Sequence, residues 1–576
     1  MFTPLRKRAT AAASLAASAT LVACLTPMAA SAAPPTTPPP VGVCNATPDG
    51  SDIVVSEATE NTALTEAWRQ FGNSGGGWDN QGGWAAADGT YSTEVPGHGV
   101  VWLFNDTWLG PVNGDESLGE APGLVNNSAV IGGADGLPDT TITGGTQDDP
   151  TSLAGPLWQW NGDGIFDGGK LRVIEFEQAI TDDPPPWNFG WVGTTLATFD
   201  GDFAVEDSVE VPTANNITWG VELVACGDFI YIYGAEAVPL EKIAHIARVP
   251  VGHLADISSW EYFDGQGWNA DPTRSARVAR QVGASFAVTP IGDKWVLSTT
   301  DSMLGDTIYV SVADSPVGPF TERQPVYVAP EAHDPQGLYA YNVAAHPSMS
   351  EPGTLTISYN VNSSQGFEGI QRDANVNRPR FLDVHFDSVP DTTRPETALV
   401  APVDGAVLRE LTIDLDATDD SGLQRIVANV YQGKTLIKST QTPLGGATEG
   451  SHSATVALPD GSYTVKYNAE DIAGNISRTR TVAVTVDTTA PTATVKKGAS
   501  FTQGEDGVYE KVSFKLHDAV GVDQVTINGV VKDLTDNVWS DVNFIEPGRF
   551  GAVEGENVLV VLDRAGNAQE TRFILE

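Results

Sequence analysis

The chain has 576 residues, in which 74 aspartates and glutamates stand against 32 lysines and arginines, a formal charge of −42. Such a charge repels nucleic acid and anionic membrane surfaces, but leaves a neutral glycan open as a partner. The length exceeds what one hydrophobic core supports, so about three domains are expected.

In chain order, MFTPLRKR, an Ala/Leu/Val-rich stretch and TPMAASAAPP read as a secretory signal over residues 1–32. Ala30 and Ala32 supply the small-x-small pattern for a cut after Ala32. Leu21-Val22-Ala23-Cys24 is a rival lipoprotein box with Cys24 as the lipidated residue. The protein is expected to be secreted and extracellular, with anchoring at Cys24 as the alternative. Cleavage removes Arg6, Lys7 and Arg8 and no acid, leaving 74 acids against 29 bases, or −45. No other run reaches the roughly 18 apolar residues of a membrane helix. Cys44 and Cys226 survive cleavage, and outside the cell a disulfide between them is expected, two free buried thiols being the alternative.

Residues 33–49, beginning APPTTPPPV, read as a Pro/Thr-rich linker with no capacity for a core. SEATENTALTEAWRQF, 56–71, is either a short helix or a leading-in loop. Over residues 50–388 helical periodicity gives way to short β runs broken by Gly, Asp, Asn and Pro. A weak repeat pairs a small, polar run with a strongly β-forming one: DGTYSTEV with VVWLFNDT, TWGVELVA with FIYIYGAE, GASFAVTP with KWVLSTTD, and YNVAAHPS with TLTISYNV. NNSAVIGG, 126–133, makes a fifth start, with LRVIEFEQ as its partner. Five units predict an all-β, five-bladed propeller rather than one large sandwich.

The tail is of another kind. Asp391-Thr392-Thr393-Arg394-Pro395 recurs as Asp487-Thr488-Thr489-Ala490-Pro491, and Asp471-Ile472-Ala473-Gly474-Asn475 as Asp563-Arg564-Ala565-Gly566-Asn567. Residues 389–487 and 488–576 are therefore expected as two immunoglobulin-like β-sandwiches. Their D-x-A-G-N pieces are most simply turns, with a structural calcium ion as the alternative; no other cofactor is implied. Of 14 tryptophans, 13 lie between Trp68 and Trp295, so any chemistry is expected in the propeller.

First strands of blades converge on the channel mouth. The repeat brings Asp88, Asn126, Asn127, Trp219, Glu222, Ser285 (with Gln281 nearby), Tyr341 and Asn342 to equivalent positions. Asp106 joins them if the PGHG hairpin, 96–99, turns at Pro96-Gly97-His98, because Asp88 and Asp106 then stand opposite one another. A slip of one residue would put them on opposite faces. Paired carboxylates push each other apart in pKa and offer an acid and a base at one pH, as glycosidases require. Asp88 and Asp106 are the catalytic candidates; Glu222, Trp219, Asn127, Asn342 and Tyr341 are the candidates for binding sugar.

Blander readings compete. Asp88 before Gly89 is also a turn residue, Asp106 a strand cap, Trp219 core, His346 a satisfied core or turn histidine, and Asp301 a loop aspartate. No H-E-x-x-H, paired C-x-x-C or G-x-x-x-x-G-K-[ST] pattern occurs.

GWAAADGTYSTEVPGHGVVWLFNDTWLG, LVNNSAVIGG, ITWGVELVACGDFIYIYGAE, IARVPVGHLADISSWEYFDGQGW, ADSPVGPF and LTISYNVN together resemble the bacterial propeller families catalogued as domains of unknown function 5005 and 4185. The resemblance covers residues 50–388 and sits nearer the 5005 group. The 4185 group includes endo-D-arabinanases of glycoside hydrolase family 183, which cleave mycobacterial cell-wall D-arabinan. The resemblance implies catalytic aspartates in D-G-x-Y-S and F-[GN]-D-T, here Asp88 and Asp106, with Asn105 where the family often has Gly. It implies a hydrolase of furanose polysaccharide; the chain is separately expected to be a monomer. The alternative is a non-catalytic carbohydrate-binding or adhesion protein.

Overall fold

The computed structural model describes residues 38–44, 48, 50–182, 188–302, 305–333, 337–533 and 541–576. The expected signal with Ala30, Ala32 and Cys24, the first residues of the linker, and Trp539 lie outside the described residues.

Residues 52–389 are built mainly of five antiparallel sheets, whose strands follow one another outward with few interruptions. Their first strands are β1 (Tyr91–Val95), β2 (Gln159–Asp167), β3 (Ile217–Cys226), β4 (Phe286–Ile291) and β5 (Leu338–Ala345). β1 touches β2, β2 touches β3, β3 touches β4, β4 touches β5, and β5 returns to β1. These five strands therefore form a ring, and the remaining strands of each sheet lie outward from it. The fifth sheet is completed from the other end of the chain: Asp52–Glu60 pairs along Arg380–Val389, from Asp52 opposite Val389 to Glu60 opposite Leu382.

One expectation of the repeat is corrected here. Ser128–Gly132, within NNSAVIGG, is the third strand of the first sheet, paired with Gly99–Phe104. The first strand that pairs with Lys170–Ile180 is β2, QWNGDGIFD. NNSAVIGG imitates a first strand because it too is buried on both faces, and burial does not reveal which neighbour a strand has.

The stretch at 56–71 splits in two. Its first part belongs to the closing strand, and a helix follows over Thr62–Asn73, capped by the Asn61 side chain accepting from the Leu64 N–H at 3.0 Å. Leu64, Trp68 and Phe71 form its buried stripe. Trp68 lies edge-on against Trp84, Trp102 and Phe104, with ring centroids 5.0–5.3 Å apart. Arg378, 1% exposed, donates to the Ala85 and Arg69 carbonyls and to Asn73, and so pins the helix's end to the ring.

Residues 38–44 are not a free linker. Pro39 and Pro40 carbonyls accept from Gly353 and Gly292, the Gly42 N–H donates to Pro290, and Cys44 is disulfide-bonded to Cys226 with Cα atoms 5.2 Å apart.

Two further β units follow, over Glu396–Val486 and Thr492–Leu575. Each has its own core, around Leu411, Ile426, Val465 and Val484 in one and Val512, Phe514, Val561 and Phe573 in the other. In the first, Leu411–Gln432 and Thr435–Val456 form a hairpin of two 22-residue strands. No helix among the described residues is long and apolar enough to cross a membrane.

Candidate active site

The hairpin around PGHG pairs Tyr91 with Leu103 and Val95 with Gly99. Just before β1, Ala87 pairs with Thr107 in a separate small sheet. Both ladders keep one register, so Asp88 and Asp106 oppose each other across the irregular segment between them. That segment is fixed by backbone. The Asn105 N–H donates to the Asp88 carbonyl at 2.8 Å, and the Gly89 N–H to buried Asn360 at 3.1 Å. Gly89 has φ +92°, and a Cβ there would stand 2.8 Å from Asn105 Cγ. Asp-Gly is thus a turn element, but one that aims Asp88 inward.

The two half-buried carboxylates have different companions. Tyr341 donates its hydroxyl to Asp88 Oδ2, and Asn362 Nδ2 donates to that hydroxyl at 3.1 Å. Trp160 Nε1 donates to Asp106 Oδ1 at 2.9 Å. Burial pushes Asp88 up to about 6, opposed chiefly by the Tyr341 hydrogen bond. Burial pushes Asp106 up to about 7, with the Asp88 charge adding to the rise and Trp160 opposing it. The environment therefore holds a proton on Asp106 in preference to Asp88, the division of labour an acid–base pair needs.

Aromatic rings flank both. Tyr339 and Tyr341 lie 5.6 Å apart on the Asp88 side. On the Asp106 side Trp158, Trp160 and Phe189 form a cluster with centroids 5.3–6.1 Å apart, all partly exposed.

Deeper in the ring, a cavity of about 410 Å³ is lined by residues of all five first strands, among them Tyr91, Asp163, Glu222, Val288 and Ala344. Asp163 accepts the Gly164 and Leu223 N–H groups, each at 2.8 Å. Burial raises both Asp163 and Glu222, and the charge of Asp163 raises Glu222 further. Tyr91 spans the channel to Ser285 at 3.1 Å and is within electrostatic reach of Asp163, Glu222 and Asp88.

The expected sugar-binding residues divide. Tyr341 reaches Asp88. Glu222 lies in the cavity with Asp163. Asn342, at φ +50°, makes the bulge that follows Tyr341. Trp219 is fully buried against Tyr262 at 5.3 Å, which corrects its expected role as a sugar platform. Asn127, 0% exposed, spends its side chain on Gln159 and Ala154 backbone groups and offers a ligand nothing. His346 is buried between Ser92 and Ser358, pushed down to about 3 by burial, and so neutral. Asp301 pairs with Arg323 at 3.2 Å. Trp160, Asp163 and Asn362 were not anticipated; the run WNGDG, 160–164, shares the glycine-and-acid character of DGTY and was the available signal.

The family model of the domain of unknown function DUF5005 matches residues 61–387. The chain belongs to that family. Among curated proteins none matches. Of solved structures, a Bacteroides ovatus ATCC 8483 protein described provisionally as a hydrolase is 18% identical, covering 58% of this chain and 94% of its own, at TM-score 0.45. An exo-β-1,3-galactanase of Phanerochaete chrysosporium, bound to β-1,3-galactotriose, is 11% identical over 70% of this chain and 99% of its own, at 0.31. A Bombyx mori GH32 β-fructofuranosidase in complex with sucrose is 9% identical over 90% and 94%, at 0.32. At such overlaps the functional reading rests on this DUF5005 member's own side chains.

Proposed function

We propose that this protein is an exported glycoside hydrolase of neutral furanose polysaccharide, D-arabinan first, acting at the mouth of a five-bladed propeller that carries two immunoglobulin-like modules. The carrying observation is the opposed pair Asp88 and Asp106, both raised, and each held by a different neutral donor. Asp106 is the acid that protonates the departing glycosidic oxygen. Asp88 is the ionised partner, attacking the anomeric carbon itself or taking the proton of the water that does. The Trp158–Trp160–Phe189 cluster takes the stacking role that Trp219 cannot fill, since ring faces pack on sugar C–H groups. The closed contact order of β1 to β5 supports the five-blade count.

The test is release of oligosaccharides from mycobacterial arabinogalactan, with L-arabinan and levan in parallel. Products that vanish with Asp88→Asn support the reading. Retained glycan binding with no products from any of the three overturns it in favour of a binding or adhesion protein.

A further inference from the structure

The tail repeats three acidic segments at matching places in both β units. One carboxylate oxygen from each of Asp391, Asp419 and Asp420 lies within 4.8 Å of the others, and the same holds for Asp487, Asp518 and Asp563. Asp471 adjoins the first group through Asn475, whose backbone N–H it accepts and whose side chain donates to the Asp391 carbonyl. The scaffolding is the same in each. Asp419 accepts the N–H groups of Ser421 and Gly422, and Asp518 those of Val520 and Gly521. Asn475 caps Asp471 and reaches the Asp391 carbonyl, as Asn567 caps Asp563 and reaches the Asp487 carbonyl.

Turn-making accounts for only half of each key carboxylate. Asp419, Asp471 and Asp487 are 8%, 0% and 2% exposed, yet the Oδ2 atom of each is buried without a hydrogen-bond partner. A buried carboxylate oxygen facing like charges is costly unless a cation is shared among them. Among the described residues no lysine, arginine or histidine forms an ion pair with any of these seven aspartates, which leaves the compensating charge to come from outside the chain.

We propose that each β unit binds one calcium ion, at Asp391/Asp419/Asp420/Asp471 and at Asp487/Asp518/Asp563. All donors are oxygens, with no histidine or cysteine, so a hard cation is required. A cage made almost wholly of protein carboxylates suits calcium, which takes six to eight oxygens in flexible geometry, whereas magnesium demands a near-ideal octahedron and keeps several of its waters. Asp391 lies just past the strand Arg380–Val389, and Asp487 just past Arg480–Val486. The ions therefore fasten each connecting D-T-T-x-P segment to the unit that follows it.

The full chain, stripped with chelator and titrated with calcium chloride by calorimetry, is expected to take up two ions, with magnesium failing to replace them. Asp419→Asn/Asp471→Asn and Asp487→Asn/Asp518→Asn should each lower the number to one. Asparagine keeps the oxygen that caps the turn and relieves the repulsion, so in chelator both variants should melt no lower than the parent. Calcium should slow proteolysis at residues 390–395 and 487–491 in the parent, and each variant should lose that protection at its own segment. No binding heat at millimolar calcium, two ions retained by both variants, or variants that melt lower in chelator would each overturn the proposal.

Discussion

Asp88 and Asp106 face one another, but the donors that hold them differ, and that difference is measurable. Ionised Asp88 beside protonated Asp106 is the dominant form between about 6 and about 7. The pH profile of kcat/KM is therefore expected as a narrow bell whose two limbs belong to the pair. Tyr341→Phe removes a donor that favours charged Asp88, so the acidic limb should move up. Trp160→Phe removes the donor that favours charged Asp106, so the alkaline limb should move up instead. A profile that either variant leaves unmoved would separate these residues from the chemistry. Stability carries the opposite face of the same shifts. Each aspartate titrates from an ordinary 3.8 when unfolded and higher when folded, so the folded chain binds the extra protons. Their contribution is fully present below about 4 and is lost as pH rises through about 7. Asp88→Asn should thus be more stable than the parent to urea at pH 8, with the advantage gone at pH 4.

At the scale of elements, the sequence reveals strands far better than it reveals their partners. The PGHG hairpin is legible, because a tight turn between two β-forming runs leaves few alternatives, but its register is not, since a slip of one residue fits the same letters. The ring's first strands are less so, since β2, β3 and β5 each carry a bulge, at Asn161/Gly164, Trp219/Glu222 and Tyr341/Ala344. A bulge resets the alternation of faces, so counting by twos from one end misplaces the other. That is why Trp219, in WGVE, turns out to be core while Trp160, in WNGDG, reaches an aspartate. The bulge before Glu222 depends on Gly220, at φ +91°, where a Cβ would meet Ile174 Cγ1 at 2.3 Å. Gly220→Ala should cost about 2–5 kcal/mol, adding overpacking to backbone strain. Gly97→Ala in the open PGHG turn has the same φ of +91° and nothing within 4 Å, so it should cost only about 1–2 kcal/mol. Urea midpoints of the two variants measure the packing share directly; equal costs would mean that the bulge yields without strain.

The whole ring depends on a pairing between residues more than 300 positions apart. Asp52–Glu60 supplies the outer strand of the fifth sheet, and Cys44 behind it is bonded to Cys226 at the end of β3. Nothing local in DIVVSEATE announces that role, because its partner Arg380–Val389 is legible only as another β run. The family match begins at 61, after this strand. A fragment of 61–387 would therefore expose a long unpaired edge on what it keeps of Arg380–Val389, residues 380–387, the kind of edge that templates aggregation. A fragment of 38–389 keeps the strand and the disulfide and should unfold in one transition at a clearly higher temperature. The double variant Cys44→Ser/Cys226→Ser in the longer fragment separates the two contributions. It should lose about 2–5 kcal/mol, the usual worth of a crosslink spanning a long loop, and still remain soluble. Should 61–387 melt where 38–389 does, the ring would be closed by its five first strands alone, and the N-terminal strand would be cladding.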